Sequence, residues 1–319
     1  MTRSFEKTGH ATIDTELVFS SGANAPSEIT ALVRSGNNPG VAVCELSEAG
    51  LQAIEEWAGC YWQKFFVDSG AFGEVSFGPQ GPTISKPITA EEWERRLAKY
   101  DRLAASMGGQ VYLVAPDCVA HQTETRARLR TYAKRILGWL AARANVIVPV
   151  QKGSDSMADF AEAVVWDLIE ANEELTYRAS LRENLIWGIP MKKDATTIEE
   201  LQAFCAAVQP RRIHLLGCGT RSKTYRAALK AVEAVCPECE VYSDSVRITA
   251  LVGKTNGKGG GPRPITRYLA AGLDKGKATL RAMLDEQRQD VAAAEAEGWF
   301  DPELADGPKG QWNLFAEVA

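Results

Sequence analysis

Short apolar runs alternate with longer amphipathic segments along this chain of 319 residues. The apolar runs, which are typical of buried strands, lie at residues 41–46, 64–67, 110–114, 146–151, 185–189, 212–217 and 240–244. The segments between them place apolar side chains on one helical face, at residues 89–107, 123–144, 156–172, 197–209 and 222–235. This alternation predicts strand–helix units rather than hairpins.

Strands that alternate with helices in this way form parallel sheets. The number of units favours a closed (β/α)8 barrel of the TIM type. Thr89 and Thr197 are expected to cap two helices, because each precedes a pair of glutamates in a first helical turn. No linker-like stretch divides the sequence, so we expect one domain over residues 1–319, with an N-terminal extension and a helical C-terminal tail at 277–300.

The composition is that of a folded, soluble protein. Apolar residues make up 45% of the chain and charged residues 24%, which excludes a disordered protein. The longest apolar stretch, residues 136–150, contains Arg143 and Asn145 and is a poor membrane span. The N-terminus has no apolar signal core, and seven scattered cysteines suit reduced thiols. We therefore expect a cytoplasmic location and no membrane contact.

Polar residues and glycines follow the predicted strands. In a parallel barrel the carboxyl ends of the strands form one rim, where functional groups collect. Successive strands bring to this rim Asp68, Asp117, Gln151, Gly188, Gly217 with Gly219, and Asp244. Paired carboxylates can cleave a bond at an anomeric carbon, one as nucleophile and one as acid. Glycines let a flat ligand approach the backbone. A planar heterocycle joined to a sugar meets both conditions.

Five motifs in this order resemble those of the guanine transglycosylases, which exchange a guanine in nucleic acid for a 7-deazaguanine. The similarity covers residues 64 to 250, in the segments VDSGAF (67–72), VPVQKG (148–153), WGIPMKK (187–193), HLLGCGT (214–220) and YSDSVR (242–247). Each motif is weak by itself, whereas the ordered series is fairly specific. Ala71 and Lys152 stand where the family usually has glycine.

The resemblance implies a double displacement. Asp244 would attack C1′ of the target nucleoside and form a covalent glycosyl intermediate. Asp68 would protonate the departing guanine and then deprotonate the incoming base. Asp117 would accept hydrogen bonds from the base, with Gln151 and the backbone of Gly188 and Ile189 reading the rest of its edge. The other base-binding residues expected from the motifs are Phe72 and Leu216, which would sandwich the ring, together with Ser69, Gly70 and Gly217.

The tRNA-modifying members of the family carry a zinc site after the nucleophile motif. No Cys or His follows Cys239 here, and Cys236 and Cys239 lack two further ligands, so we expect no zinc and no other cofactor. Without that subdomain the sequence resembles more closely the deazaguanine DNA transglycosylases of bacteriophages and bacterial modification clusters. The implied partners are DNA and a free base such as a cyano- or aminomethyl-deazaguanine. The resemblance also implies a homodimer as an alternative to a monomer.

A basic, glycine-rich segment directly follows the nucleophile motif. Residues 247–267 contain five basic side chains and no acidic one, although the formal net charge of the whole chain is −5. We expect four of these side chains to contact nucleic-acid phosphates: Arg247, Lys254, Lys258 and Arg263. A solvated loop is the alternative interpretation of this segment.

Three other functions remain open from the sequence. The substrate of the exchange could be tRNA. The chain could be a non-catalytic relative that only binds nucleic acid, although retention of both Asp68 and Asp244 speaks against this. Finally, an unrelated barrel hydrolase of small glycosides would explain the carboxylates, but neither the glycines at the rim nor the basic segment.

Overall fold

A computed structural model describes most of the chain from Leu17 to Ser245. The described residues are 17–34, 37–61, 63–79, 81–171, 183–192, 195–220 and 222–245. The expected C-terminal tail at 277–300 and the basic segment at 247–267 lie outside them. No helix within the described part is long and apolar enough to cross a membrane.

Eight parallel strands close into a barrel, as the sequence predicted. Around the barrel the strands follow the order β1, β10, β9, β8, β7, β6, β3, β2, and β2 pairs with β1 to complete the circle. Their bounds are β1 Val18–Ser21, β2 Asn38–Ala42, β3 Phe65–Asp68, β6 Val111–Val114, β7 Asn145–Pro149, β8 Leu185–Pro190, β9 Arg212–Leu216 and β10 Glu240–Ser245. A short antiparallel hairpin, β4 Val75–Gly78 and β5 Gly81–Ile84, is inserted after β3.

Helices connect the barrel strands. They are α1 Pro26–Arg34, α2 Glu48–Tyr61, α3 Ala90–Met107, α4 Gln122–Thr131, α5 Ala133–Ala141, α6 Met157–Glu170, α7 Ile198–Val208 and α8 Lys223–Val235. The expected caps are confirmed: the Thr89 hydroxyl accepts the N–H of Glu92, and Thr197 forms a reciprocal capping box with Glu200. The predicted helix 123–144 is two helices, α4 and α5, which meet at Tyr132.

The sequence pattern missed the beginning of the barrel. Residues 17–61 form β1, α1, β2 and α2, so this part of the chain belongs to the barrel instead of preceding it. β1 is the four-residue stretch VFSS, in which half of the side chains are polar. β2 begins at Asn38 and not at Val41, and it contains Pro39 and Gly40, which ordinarily mark turns. Neither strand has a strong periodic signal of its own.

Apolar side chains pack on both faces of the barrel wall, in an outer layer and an inner layer. The outer layer packs the strands against the helices and includes fully buried Leu113, Val148, Ile189 and Leu215. The inner layer fills the barrel and is rich in rings: Phe19, Phe66, Tyr112 and Tyr242 belong to it, with Leu216 at its edge. Because successive strand residues point to opposite faces, the inward positions of β9 are His214 and Leu216. The barrel is therefore a packed core with an open rim, not a channel.

Candidate functional site

The carboxyl ends of the strands bring the predicted polar residues to one rim. Asp68 is the last residue of β3 and Asp244 lies near the end of β10. Asp117 and Gln151 follow β6 and β7 by a few residues. The charge of Asp244 raises the pKa of Asp68, and the charge of Asp68 in turn raises the pKa of Asp117, so the three carboxylates are close enough to interact. The strand ends thus form one carboxylate cluster.

Asp244 is buried and accepts three hydrogen bonds. Its Oδ1 accepts the N–H of Gly217 at 2.7 Å and lies 3.2 Å from Nε2 of His214, while its Oδ2 accepts the Ser21 hydroxyl at 3.0 Å. Burial alone would raise the pKa of Asp244, but these donors outweigh burial and hold the pKa below its usual value. Asp244 is therefore an ionised carboxylate at neutral pH.

His214 was not among the residues predicted from the sequence. Its ring is fully buried inside the barrel and stacks on Phe66, with centroids 5.0 Å apart and planes 10° apart, and on Phe19. Nδ1 of the ring has no hydrogen-bond partner among the described residues. Because an ionised Asp244 can only accept, the proton of this hydrogen bond lies on Nε2 of His214. The available signal was a histidine within the predicted strand 212–217, three residues before its end.

Ser21 also escaped the sequence analysis. It ends β1, a strand that the hydrophobic pattern did not reveal, and β1 lies beside β10 in the barrel. This pairing places the Ser21 hydroxyl against a carboxylate 223 positions further along the chain. Only the closure of the barrel brings these two residues together.

Asp68 has the opposite protonation behaviour. Burial, followed by the negative charge of Asp244, raises the pKa of Asp68 to about 6. The N–H of Gly70, which donates to Oδ2 at 3.2 Å, and the positive charge of Lys192 only partly offset this rise. Near neutral pH Asp68 can therefore release and take up a proton, whereas Asp244 stays ionised.

Asp117, which the sequence predicted to bind the base, is buried beside Ser69 and Gln151. Ser69 Oγ donates to Oδ1 at 2.8 Å and Gln151 Nε2 donates to Oδ2 at 3.1 Å. Burial raises the pKa of Asp117 to about 7 despite these donors. The amide oxygen of Gln151 accepts the N–H of Ala120 at 2.9 Å, so both ends of this side chain are engaged within the protein and orient Asp117.

Two arginines fix the loops that carry these groups. Arg96 of α3 donates to the carbonyl oxygen of Ser69 at 2.8 Å, and Arg128 of α4 donates to that of Asp117 at 2.6 Å. Both guanidinium groups lie 5.4 Å from the ring centroid of Trp93. Arg128 also forms a two-pronged ion pair with the fully buried carboxylate of Glu74, with both contacts at 2.7 Å. The loops after β3 and β6 are thus tied to the helical layer.

Gly70 and Gly217 have left-handed backbones, with φ of 73° and 67°. A β-carbon at Gly70 would lie 2.6 Å from Cys44 Sγ, and one at Gly217 would lie 2.8 Å from Cε of Lys192. At Gly188, a β-carbon would lie 2.8 Å from Cγ2 of Ile147. The lack of a side chain at Gly188 and Gly217 therefore leaves room for the side chains of Ile147 and Lys192, which pass close to the backbone there.

The remaining predicted residues differ in how they face the rim. Leu216 points inward and borders the inner apolar layer. Ile189 points outward into the layer beneath the helices, so only its backbone could read a ligand, and the carbonyl of Gly188 already accepts the N–H of Val150 at 2.8 Å. Phe72 is 53% exposed on a short 3-10 helix, outside the cluster. Four phosphate-contact candidates lie outside the described residues: Arg247, Lys254, Lys258 and Arg263.

Among the described residues, no group of three His, Cys, Asp or Glu side chains is arranged to hold a metal ion.

Lys152, one of the two departures from the family motifs, forms an ion pair with Glu200 at 2.7 Å. The side chain of Lys152 is thus directed to the start of α7 and not across the carboxylate cluster.

Fold and site together define a closed parallel α/β barrel with three interacting carboxylates at the carboxyl ends of its strands. No protein-family model and no curated protein matches the sequence. Among solved structures, the chain is similar to a D-allulose 3-epimerase from Methylomonas sp., at 10% identity and a TM-score of 0.42, over 72% of this chain and 83% of that one. It is also similar to a putative fructose-1,6-biphosphate aldolase from Coccidioides immitis, at 10% identity and a TM-score of 0.43, over 81% and 88% of the two chains. Likenesses this distant carry no information about the reaction.

Proposed function

We propose that this protein is an enzyme that exchanges guanine in DNA for a 7-deazaguanine base, through a covalent glycosyl intermediate on Asp244. The observation that carries the proposal is the split in proton affinity within one carboxylate cluster. The pKa of Asp244 lies below its usual value, while that of its neighbour Asp68 is raised to about 6. Two nearby carboxylates with opposed pKa shifts are the equipment of a nucleophile and a general acid–base.

In the first half-reaction the ionised Asp244 attacks C1′ of the target nucleoside. The bond between C1′ and the guanine nitrogen breaks, and protonated Asp68 gives its proton to the leaving base, which departs as neutral guanine. In the second half-reaction ionised Asp68 accepts a proton from the ring nitrogen of the incoming 7-deazaguanine. That nitrogen attacks C1′ and releases the carboxylate of Asp244. Each step conserves protons and charge, and the cycle needs no redox cofactor.

The other rim residues have supporting roles in this proposal. Asp117, oriented by Ser69 and Gln151, faces the N–H edge of the base. Leu216 supplies an apolar surface for one face of the ring. Phe72, which the sequence led us to expect on the other face, lies outside the cluster and stacks on Phe77. A guanine within a duplex has to leave the base stack to reach a site at the end of a barrel. We therefore expect mismatched or unpaired target sites to react faster than fully paired ones.

The test is incorporation of radiolabelled guanine into DNA, with tRNA assayed in parallel. The wild-type protein should label DNA, and Asp244→Asn should lose activity by on the order of 10³-fold or more. Glu162→Gln, which neutralises an exposed carboxylate on α6, is the matched control and should retain activity. Labelling of tRNA alone would move the substrate to RNA. Labelling of neither, or full activity of Asp244→Asn, would exclude the proposed reaction.

A second measurement addresses the intermediate. When guanine-containing DNA is mixed with protein and quenched in acid, a covalent protein–DNA species should appear on a denaturing gel. Addition of free deazaguanine should consume this covalent species, and it should not appear with the Asp244→Asn variant. Asp68→Asn should slow its formation by about 10²- to 10⁴-fold, because the leaving guanine then lacks a proton donor.

A further inference from the structure

Two exposed aromatic rings and a lysine form a continuous surface beside the carboxylate cluster. Phe72 and Phe77 are each 53% exposed, and their rings stack with centroids 5.5 Å apart. Nζ of Lys192 lies 5.1 Å from the centroid of the Phe72 ring. We call these three residues the rim surface. Phe77 is on β4 of the inserted hairpin, whereas Lys192 lies two residues after the end of β8.

The rim surface is connected to the nucleophile by a short series of contacts. The N–H of Gly217 donates to Asp244, and the stem of Lys192 crosses close above Gly217, where a β-carbon would meet it at 2.8 Å. From there Lys192 extends to Phe72, which stacks on Phe77. The charge of Lys192 also reaches Asp68, because it lowers the pKa of that carboxyl group. The surface therefore leads outward from the place where a target nucleotide would react.

The chemistry of the rim surface matches a nucleotide better than a protein partner. Residues 75–86, which include the hairpin, carry one charged side chain, Lys86, so Phe77 lies on a nearly neutral segment. Exposed stacked rings next to a cation are how proteins hold unpaired nucleotides, since bases stack on the rings and the phosphodiester meets the cation. The positive charge of Lys192 complements the phosphodiester backbone of a nucleic-acid strand.

We propose that the rim surface binds the unpaired nucleotide next to the target, with its base on Phe77 and its phosphodiester on Lys192. That this nucleotide belongs to the substrate DNA strand rests on the function proposed above. Such binding would favour a polynucleotide over a free nucleoside. A phosphate on Lys192 would also offset the positive charge near Asp68 and so favour the protonated form that the leaving base requires.

Binding can be measured without catalysis. Fluorescence anisotropy with a labelled single-stranded oligodeoxynucleotide gives the Kd for the wild type, Phe77→Ala and Lys192→Met. Phe77→Ala should weaken binding by roughly 5- to 100-fold, the usual loss for one stacked base. Lys192→Met should weaken binding and reduce the slope of log K against log salt by about 0.7, the value for one phosphate contact on a single strand. Trp166→Ala, on the outer helix α6 and 54% exposed, and Lys230→Met, exposed on α8, are the matched controls and should bind as the wild type does.

Catalysis then distinguishes the two proposals. If the wild type exchanges bases, Phe77→Ala should lower kcat/KM for the oligonucleotide but leave exchange on 2′-deoxyguanosine unchanged. Equal binding by Phe77→Ala and wild type, or equal losses in the Trp166→Ala control, would overturn the role of the rim surface while leaving base exchange intact. Conversely, a wild type that exchanges no base, yet binds the oligonucleotide through Phe77 and Lys192, would refute the reaction and support the surface.

Discussion

Nε2 of His214 lies 3.2 Å from Oδ1 of Asp244, inside the barrel and shielded from solvent. The same oxygen accepts the N–H of Gly217, whereas Oδ2 accepts one hydrogen bond within the described part of the chain, from the Ser21 hydroxyl. The carboxylate is thus held by Oδ1, and Oδ2 retains more capacity to act on an incoming atom. His214 positions the candidate nucleophile and stabilises its ionised form.

Replacing His214 by another ring should therefore reduce the ionisation of Asp244 while keeping the packing inside the barrel. His214→Phe keeps a flat ring between Phe66 and Phe19 but removes the donor, so the pKa of Asp244 should rise and base exchange should fall by about 10- to 100-fold, the value of a hydrogen bond to a charged group. The acid limb of the kcat/KM profile should move to higher pH. His214→Gln, which can still donate an N–H, should recover part of the activity. An unchanged acid limb in His214→Phe would show that the ring only fills space.

The pH dependence of exchange should follow the two coupled carboxylates. The first half-reaction needs Asp244 ionised and Asp68 protonated, so kcat/KM should decline as pH rises through about 6, the pKa of Asp68. Lys192→Met removes a positive charge that lowers this pKa, so the basic limb should move upward. Steady-state kinetics from pH 4 to 9 measure both limbs. A downward movement in Lys192→Met would contradict the assigned role of Asp68.

Asp117 should make the fold less stable at alkaline pH. Its pKa is about 7 in the folded protein and about 3.9 in an unfolded chain, so the native state retains a proton that the unfolded state loses between these values. Stability should decrease across this window, and the full cost should be present above pH 7. Asp117→Asn should then raise the free energy of unfolding at pH 8 by about 1–3 kcal/mol, with little effect below pH 4. Urea unfolding at both pH values tests this, and equal effects at the two values would contradict it.

The ion pair between Glu74 and Arg128 should contribute far more than an exposed pair. The Glu74 carboxylate is fully buried, so Glu74→Gln would remove the buried charged partner of Arg128 and leave only the more exposed Glu124 at 3.1 Å. This change should destabilise the protein by about 3–5 kcal/mol. Arg95→Ala breaks an exposed pair with Glu92 and should cost less than about 1 kcal/mol. Denaturant unfolding of the two variants gives the comparison. Similar costs for both would mean that Glu74 does not anchor Arg128 beneath the Asp117 loop.

Gly70 should tolerate no side chain. Gly70→Ala places a β-carbon 2.6 Å from Cys44 Sγ on a backbone with φ of 73°, and we expect a loss of about 1–3 kcal/mol in unfolding free energy. Adding Cys44→Ala should restore part of this loss, because it removes the contact with Sγ but neither the backbone strain nor the contact with Arg96 Nη1 at 3.2 Å. Cys44→Ala alone is the control. Thermal unfolding of the three variants separates the two contributions, and no recovery in the double variant would assign the whole loss to the backbone.

The sequence alone determined the barrel. Seven of its strands and most of the described helices follow from apolar runs and amphipathic periods, since these patterns report local burial directly. The sequence also located Asp68, Asp117, Gln151 and Asp244, because residues at strand ends must gather on one rim of a parallel barrel. It did not reveal β1 or the boundary of β2, whose short, partly polar segments become strands only between established neighbours.

Tertiary structure decided the chemistry of the cluster. Nothing in the order of residues indicates that Ser21 and His214 would share Asp244, or that Asp68 and Asp117 would have raised pKa values. These properties depend on burial, on hydrogen-bond donors and on neighbouring charges from distant parts of the chain. The rim surface likewise exists because an inserted hairpin and the loop after β8 meet in space. The sequence pattern can locate a carboxylate at a strand end, but only the closed barrel sets the pKa of that carboxylate, through its burial and its neighbours.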